Sequence, residues 1–264
     1  MRILHLETVD STNTYVLRHF SEVADEVLVG AFEQTSGRGR QGRKWIAPPG
    51  RNLTVSFGMS RIAAGFHAGA LAGLAVLDLV REAVPGCSPY LKWPNDVYVG
   101  DAKLAGILCE GIVSRGGLSG VVAGVGLNVN FDAAEAAAIG QRATGLKILA
   151  PDREFSVPEL TERLAFFWER WYINYDRDRR STLAAWRMEN RLIGRTVEVV
   201  DPQGNVLSGR FSAIDDDGSM ILETPCGERV FRCGDVKIAK GFDPEKQSNT
   251  PGAPGSSAKG ESRE

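Results

Sequence analysis

Leu118 to Val129 is almost unbroken apolar sequence punctuated by Gly120, Gly124 and Gly126. Such a run suits a central strand, buried on both faces, and the rest of the chain has to furnish its neighbours. Residues 2–7, Glu26–Glu33 and Asn52–Met59 read as further strands. Leu91–Val99 and Leu104–Ile112 read as a strand pair around a Gly100-Asp101 turn. Helices are expected after Ser11, a candidate N-cap, and over 65–84, where Pro85-Gly86 ends the pattern. Two more are expected over Phe155–Tyr175 and Ser181–Asn190, with Trp168, Trp171 and Trp186 placed in the core.

The pattern changes near Ile193-Gly194. Short strands follow at Thr196–Val200, Val206–Ile214, Met220–Glu223, Arg229–Cys233 and Val236–Ile238, separated by Gly-containing turns. About 45 residues of this kind suggest a small β-barrel that needs docking on the larger unit. The expected division is therefore 1–192, 193–240 and a tail over 241–264. That tail is too poor in apolar residues to repay its ordering entropy, so it is expected to be disordered.

Charge is distributed unevenly. The 264 residues sum to −2, yet residues 34–51 hold Arg38, Arg40, Arg43, Lys44 and Arg51 with no acid. That stretch carries +5 and leaves −7 for the remainder, which argues against a basic nucleic-acid binder. No run approaches the ~18 apolar residues of a membrane span, and an acid at Glu7 comes too early for a signal peptide. A cytoplasmic protein without membrane contact is expected. Cys87, Cys109, Cys226 and Cys233 show no metal spacing and read as reduced, mostly buried thiols, with a Cys226–Cys233 hairpin pair as the alternative.

Three segments carry chemistry. In the first, Gly37-Arg-Gly-Arg-Gln-Gly-Arg-Lys-Trp45, glycines allow close backbone approach and arginines can fork onto phosphate oxygens. Trp45 offers a face for a purine. A solvated flexible loop or a nonspecific nucleic-acid contact would look the same, whereas P-loop and dinucleotide fingerprints are absent. In the second, Lys92-Trp-Pro-Asn-Asp96 precedes Lys103-Leu-Ala-Gly-Ile-Leu108. Lys92 and Asp96 could be an ordinary surface pair and Trp93-Pro94-Asn95 only a turn. Lys103, however, opens an apolar strand that would hold its ammonium near Asp96. The third is Gly124-Val-Gly-Leu-Asn-Val-Asn130, where two amides at a buried strand end need partners, which favours a ligand-facing role.

Together with Ser11-Thr-Asn13, these segments resemble the biotin protein ligase family, in order and at the family's spacing over most of residues 5–130. The resemblance implies an α+β fold: a mixed β-sheet backed by helices, related to class II aminoacyl-tRNA synthetases, with a small C-terminal SH3-like β-barrel. It implies ATP-dependent activation of biotin as biotinyl-5′-adenylate and transfer to a lysine of a biotin carboxyl carrier protein, with Mg²⁺ accompanying ATP. The chain is expected to begin at the catalytic domain, without the helix-turn-helix of repressor members, so no DNA partner is carried over. A homodimer is compatible with the family.

Residue by residue, the resemblance assigns Ser11, Thr12, Asn13, Gln34 and the Gly37, Arg38, Gly39, Arg40 segment to biotin, with Gly106, Leu108 and Gly124 walling its channel. Arg38, Arg40, Arg43, Trp45, Asn95 and Asn128 fall to the nucleotide. Lys103 would bridge the biotin carboxylate and the α-phosphate, Arg40 would act with it, and Asp96 would be base or orienter in transfer. The loop's self-repulsion is expected to hold it open until anions arrive. A lipoate-type ligase, a nucleic-acid module and a biotin sensor are the competing readings. No residue of 194–239 is assigned to the site.

Overall fold

The computed structural model describes residues 1–62, 64–114, 117–138 and 142–237. The chain runs β1 (Arg2–Val9), α1 (Thr12–Arg18), α2 (Phe20–Val23), β2 (Val27–Gln34), β3 (Asn52–Met59) and α3 (Gly65–Ala83). It continues with β4 (Tyr90–Lys92), β5 (Asp96–Val99), β6 (Ala102–Ser114), β7 (Gly117–Asn128), α4 (Ala133–Ala138) and α5 (Leu146–Leu149). Helices α6 (Val157–Arg177) and α7 (Arg179–Glu189) lead to β8 (Thr196–Val200), β9 (Val206–Ile214), β10 (Met220–Thr224), β11 (Gly227–Phe231) and β12 (Asp235–Lys237).

Seven strands form a mixed sheet in the order β1-β2-β3-β7-β6-β5-β4, with β1 and β2 parallel and the other pairs antiparallel. The apolar run is the central strand β7, between β3 and β6. Alternation sorts its faces. Val121, Ala123, Val125 and Leu127, with Leu53, Val55, Phe57 and Met59 of β3, belong to the main core beneath α3 and α6. The opposite face carries Thr54, Ser56, Val122, Gly124 and Gly126, and among the described helices α1 and α2 pack there, against a cluster of Val16, Val23, Val27, Val29 and Val122. One face is thus closed by helices, while the other stays open beyond α1.

Leu91–Val99 is two strands rather than one. The Trp93–Pro94 bond is cis, and β4 turns back on β5 so that Lys92 pairs with Asp96. A bulge follows: Val97 faces Ala105 and Tyr98 faces Lys103, with Leu104 as the extra residue. Residues three apart on a regular strand point to opposite faces. The bulge instead puts Lys103 on the same face as Gly106, Asp96 and Lys92.

The five C-terminal strands form an antiparallel sheet, β11-β10-β9-β8-β12. It is not a closed barrel, because β11 and β12 are not paired among the described residues. The sheet docks through Trp93, whose Nε1 donates to Gly218 O at 2.9 Å, Phe66 against Gly218, and Arg187 Nε donating to Ile214 O. One apolar cluster runs from Val125 and Trp93 to Phe211, Ile214, Met220 and Val236.

Several expectations change. Trp168 and Trp186 are core residues, while Trp171 is partly buried and donates to Asp78. All four cysteines are free, but only Cys87 and Cys109 are partly buried; Cys226 and Cys233 are exposed. The latter two cannot pair as a hairpin because β11 lies between them, about 20 Å of extended chain. Ser11 takes the N-cap position of α1, yet its side chain makes no capping bond. The tail over 241–264 lies outside the described residues. Among those described, no helix is long and apolar enough to cross a membrane.

Candidate active site

A cavity of about 480 Å³ opens on the uncovered face of the sheet. The start of α1 forms one end. Thr12 N and Oγ1 lie 2.8 and 3.2 Å from Gln34 Oε1. Asn13 is held on all sides: Nδ2 donates to Glu110 Oε2 (2.8 Å) and Leu108 O (3.1 Å), and the Ser56 hydroxyl lies 2.6 Å from Oδ1. Gly124 runs directly beneath, where a Cβ would stand 2.1 Å from Asn13 Oδ1. Any side chain at 124 would therefore unseat Asn13, which is why the strand carries glycine here.

Glycines also make the floor. The Trp45 indole lies on Gly126, where a Cβ would come within 2.3 Å of it, and beside Gly106. Its Nε1 is buried against Gly126 with no hydrogen-bond partner among the described residues. Lys103 Nζ stands 5.7 Å from the Trp45 ring centroid and 2.7 Å from Asp96 Oδ1. Both side chains of that pair are about 14% exposed, so its charges meet little screening solvent. Lys92 lies behind, almost wholly buried, and burial pushes its ammonium below the usual lysine range while Asp96 opposes the shift.

The Gly/Arg segment is a small hairpin folded across the opening, not an open loop. Gly39 N donates to Arg43 O and Trp45 N to Gly37 O, with Gln41 (φ 55°) and Gly42 (φ 72°) at the tip. The expected self-repulsion is offset because each arginine finds an acceptor on a different element. Arg38 donates to Glu110 Oε2 (2.8 Å) and Thr14 Oγ1 (3.1 Å), Arg40 to Asn95 Oδ1 (3.0 Å) and Arg43 to Asp235 (2.8 Å). Asn95 is fixed in turn, donating from Nδ2 to Ile107 O at 2.7 Å.

The structure brings Ser11, Thr12, Asn13, Gln34, Arg38, Gly39, Arg40, Arg43, Trp45, Asn95, Asp96, Lys103, Gly106, Leu108 and Gly124 to this cavity. Gly37, at the base of the hairpin, lines an adjoining depression with Glu110 instead. Asn128 and Asn130 do not reach the cavity, and the ligand-facing reading of these amides is corrected. Asn128 Nδ2 donates to Thr144 O, and the Asn130 amide exchanges two bonds with the Phe155 backbone. Asn128 therefore ties the end of β7 to the segment before α5, and Asn130 ties the chain just beyond β7 to the segment leading into α6. Ser56, Glu110, Gly126 and Asp235 were not anticipated. A serine and a glutamate within apolar strands were visible signals for the first two; nothing local distinguishes Asp235.

Residues 5–128 match the family model described as Biotin/lipoate A/B protein ligase family, and residues 192–238 match Biotin protein ligase C terminal domain. A biotin–[acetyl-CoA-carboxylase] ligase of Paracoccus denitrificans is 31% identical over 242 residues, covering 88% of this chain and 98% of the relative. Its counterpart in Mycobacterium tuberculosis is 36% identical over 235 residues, covering 86% and 85%. Among solved structures, the biotin protein ligase from Aquifex aeolicus in complex with biotin and ATP superposes with a TM-score of 0.70 at 23% identity, covering 89% of this chain and 97% of that one.

Proposed function

Since the chain belongs to the biotin protein ligase family, we propose that its cavity joins biotin and ATP as biotinyl-5′-adenylate and passes the biotinyl group to one lysine of a biotin carboxyl carrier protein. The observation that carries the reading is the Lys103–Asp96 pair set in one cavity between the polar start of α1 and a ring of arginines. In the first step a carboxylate oxygen of biotin attacks the α-phosphorus and the bond to the β-phosphate breaks, releasing pyrophosphate. Two anions must meet, so the barrier is largely electrostatic, and preoriented cations lower it. The α1 end, with Ser11, Thr12, Asn13 and Gln34, suits the ureido head, a flat group rich in hydrogen-bonding atoms. Gly106, Leu108 and Gly124 leave room for the chain of biotin, and Trp45 is placed for the adenine.

The arginines are not equivalent in this scheme. Among the described residues Arg40 is held by a neutral amide, Asn95, and is readier to turn to phosphate than Arg38, which has both Glu110 and Thr14 to leave. Lys103 is the cation at the junction of carboxylate and α-phosphate. Among the described residues no cluster of three or more His, Cys, Asp or Glu is placed to cage a metal. The donor set suits Mg²⁺ brought in on the triphosphate, with Asp96 as a carboxylate able to face it; such an ion would supply charge neutralisation of the phosphates.

In the second step the amine attacks the carbonyl of the mixed anhydride, AMP leaves and the amine sheds a proton. A lysine of pKa ~10.4 is neutral in only about one molecule in 2,500 at pH 7, worth ~4.6 kcal/mol, so a nearby proton acceptor matters. Asp96 is placed for that task. Replacing it with alanine should slow transfer from preformed adenylate to a carrier domain by about 100-fold or more, measured in single turnover, with a smaller loss in adenylate formation. Equal losses in both steps would restrict Asp96 to holding Lys103.

A further inference from the structure

Asp235, at the start of β12, reaches the cavity from the C-terminal sheet. Arg43 Nη2 donates to both of its oxygens, at 2.8 and 3.1 Å. The two partners differ in how firmly they are held. Asp235 sits between Gly234, whose φ of 151° lets the chain pass close to Val200 O and Trp93, and the buried Val236. The Trp93 bond to Gly218 and the shared core fix that sheet against the cavity. Arg43, by contrast, follows the positive-φ tip of the hairpin, and its side chain is about half exposed. A carboxylate set on the docked sheet therefore anchors the hairpin across the cavity mouth through Arg43, whose side chain otherwise bonds only within the hairpin among the described residues, to Arg40 O and Gln41 Oε1.

An exposed carboxylate–guanidinium pair is weak enough to be exchanged, and a phosphate presents more charge and a geometry the guanidinium fork matches. Arg38 and Arg40 are held from within the first sheet and α1. Arg43 is the loop arginine tied to the C-terminal sheet.

We propose that Asp235 is a positioning residue for the nucleotide step: it keeps Arg43 poised at the cavity mouth and yields it to the phosphates of a nucleoside triphosphate. The exchange frees the hairpin from the C-terminal sheet when the triphosphate binds and restores the tie when pyrophosphate leaves. The proposal rests on the reading of this cavity as a nucleotide site.

The test is steady-state biotin-dependent ATP–pyrophosphate exchange with the full chain, comparing Asp235→Asn, Arg43→Gln and the double variant, with melting temperatures as a folding check. Without the competing carboxylate, KM for ATP should fall about two- to fivefold, or ~0.4–1 kcal/mol, with KM for biotin unmoved and the change carried by KM rather than kcat. In the Arg43→Gln background, Asp235→Asn should change nothing further. A rise in KM for ATP would make Asp235 a direct nucleotide or metal contact and overturn the proposal. An equal fall in both backgrounds would overturn it too, reducing Asp235 to repulsion through space. A wild-type chain without biotin-dependent exchange would remove the nucleotide reading and this proposal together, whereas a failure confined to the Asp235 variants leaves that reading standing.

Discussion

Replacing Lys103 with alanine should lower the rate of adenylate formation by about 100- to 1,000-fold, while the fold survives. Removal of one preoriented charge-stabilising group from an active site costs roughly 2.7–4 kcal/mol of transition-state stabilisation. Lys103 meets the conditions for the full effect. Its ammonium is largely shielded from solvent, is aimed by the extra residue Leu104, and is held 2.7 Å from Asp96. No other described lysine lines the same wall from an equivalent position: Lys92 is buried behind it and Lys44 sits on the exposed hairpin. No core void opens, because the lost side chain leaves open cavity; the stability cost is that of leaving the largely buried Asp96 carboxylate without its nearest partner, offset in part by Lys92 behind it. Arginine at 103 should not restore the rate, since a planar fork cannot occupy the place of a compact ammonium between Asp96 and Gly106. An unchanged adenylation rate in Lys103→Ala would take this residue out of the chemistry.

The second large effect concerns Trp93, which lies within the same motif but plays a different part. It is 1% exposed, belongs to the core shared by the two sheets, and donates to Gly218 O. Trp93→Ala should destabilise the chain by about 3–5 kcal/mol, as expected for a fully buried aromatic. The loss should loosen the C-terminal sheet first, because its buried residues, such as Phe211, Ile214, Met220 and Val236, belong to the cluster it shares with Trp93. Urea unfolding followed by two probes, one in each sheet, should show a lowered midpoint and two transitions that no longer coincide. Trp93→Phe should keep most of the packing and lose only about 1–2 kcal/mol through the unpaired Gly218 carbonyl. A loss below 1 kcal/mol in Trp93→Ala would contradict the role as an interdomain peg.

Much of the fold is legible in the sequence because periodicity records burial. The run from Val121 to Leu127 reads as a central strand because Val121, Ala123, Val125 and Leu127 face the core while small residues, Gly124 and Gly126, floor the cavity on the opposite, partly open face; Gly65 to Ala83 reads as a buried helix because most of its residues are buried. The break in Leu91–Val99 is less visible. Two short strands and one long one share the same alternation, and only the turn around Pro94 separates them. The bulge at Leu104 is invisible locally, because it depends on which residues of β5 lie opposite. The candidate site divides along the same line. Residues whose chemistry is unusual for their setting, such as Lys103 on an apolar strand or arginines between glycines, announce themselves. Asn128 and Asn130 send the same signal, yet their amides serve backbone carbonyls elsewhere in the chain. A buried amide reports that a partner exists without saying which. Asp235 carries no local signal at all, since its place at the cavity arises only when the second sheet docks.

If this cavity activates biotin with ATP, exchange of pyrophosphate into ATP must depend on biotin. ATP–pyrophosphate exchange measures that activation directly, in the presence of biotin, of lipoate or of neither acid. Incorporation of labelled pyrophosphate into ATP that depends on biotin and is at background with lipoate or with no acid is the predicted result. Exchange that is absent with biotin, or equal with lipoate, would contradict it.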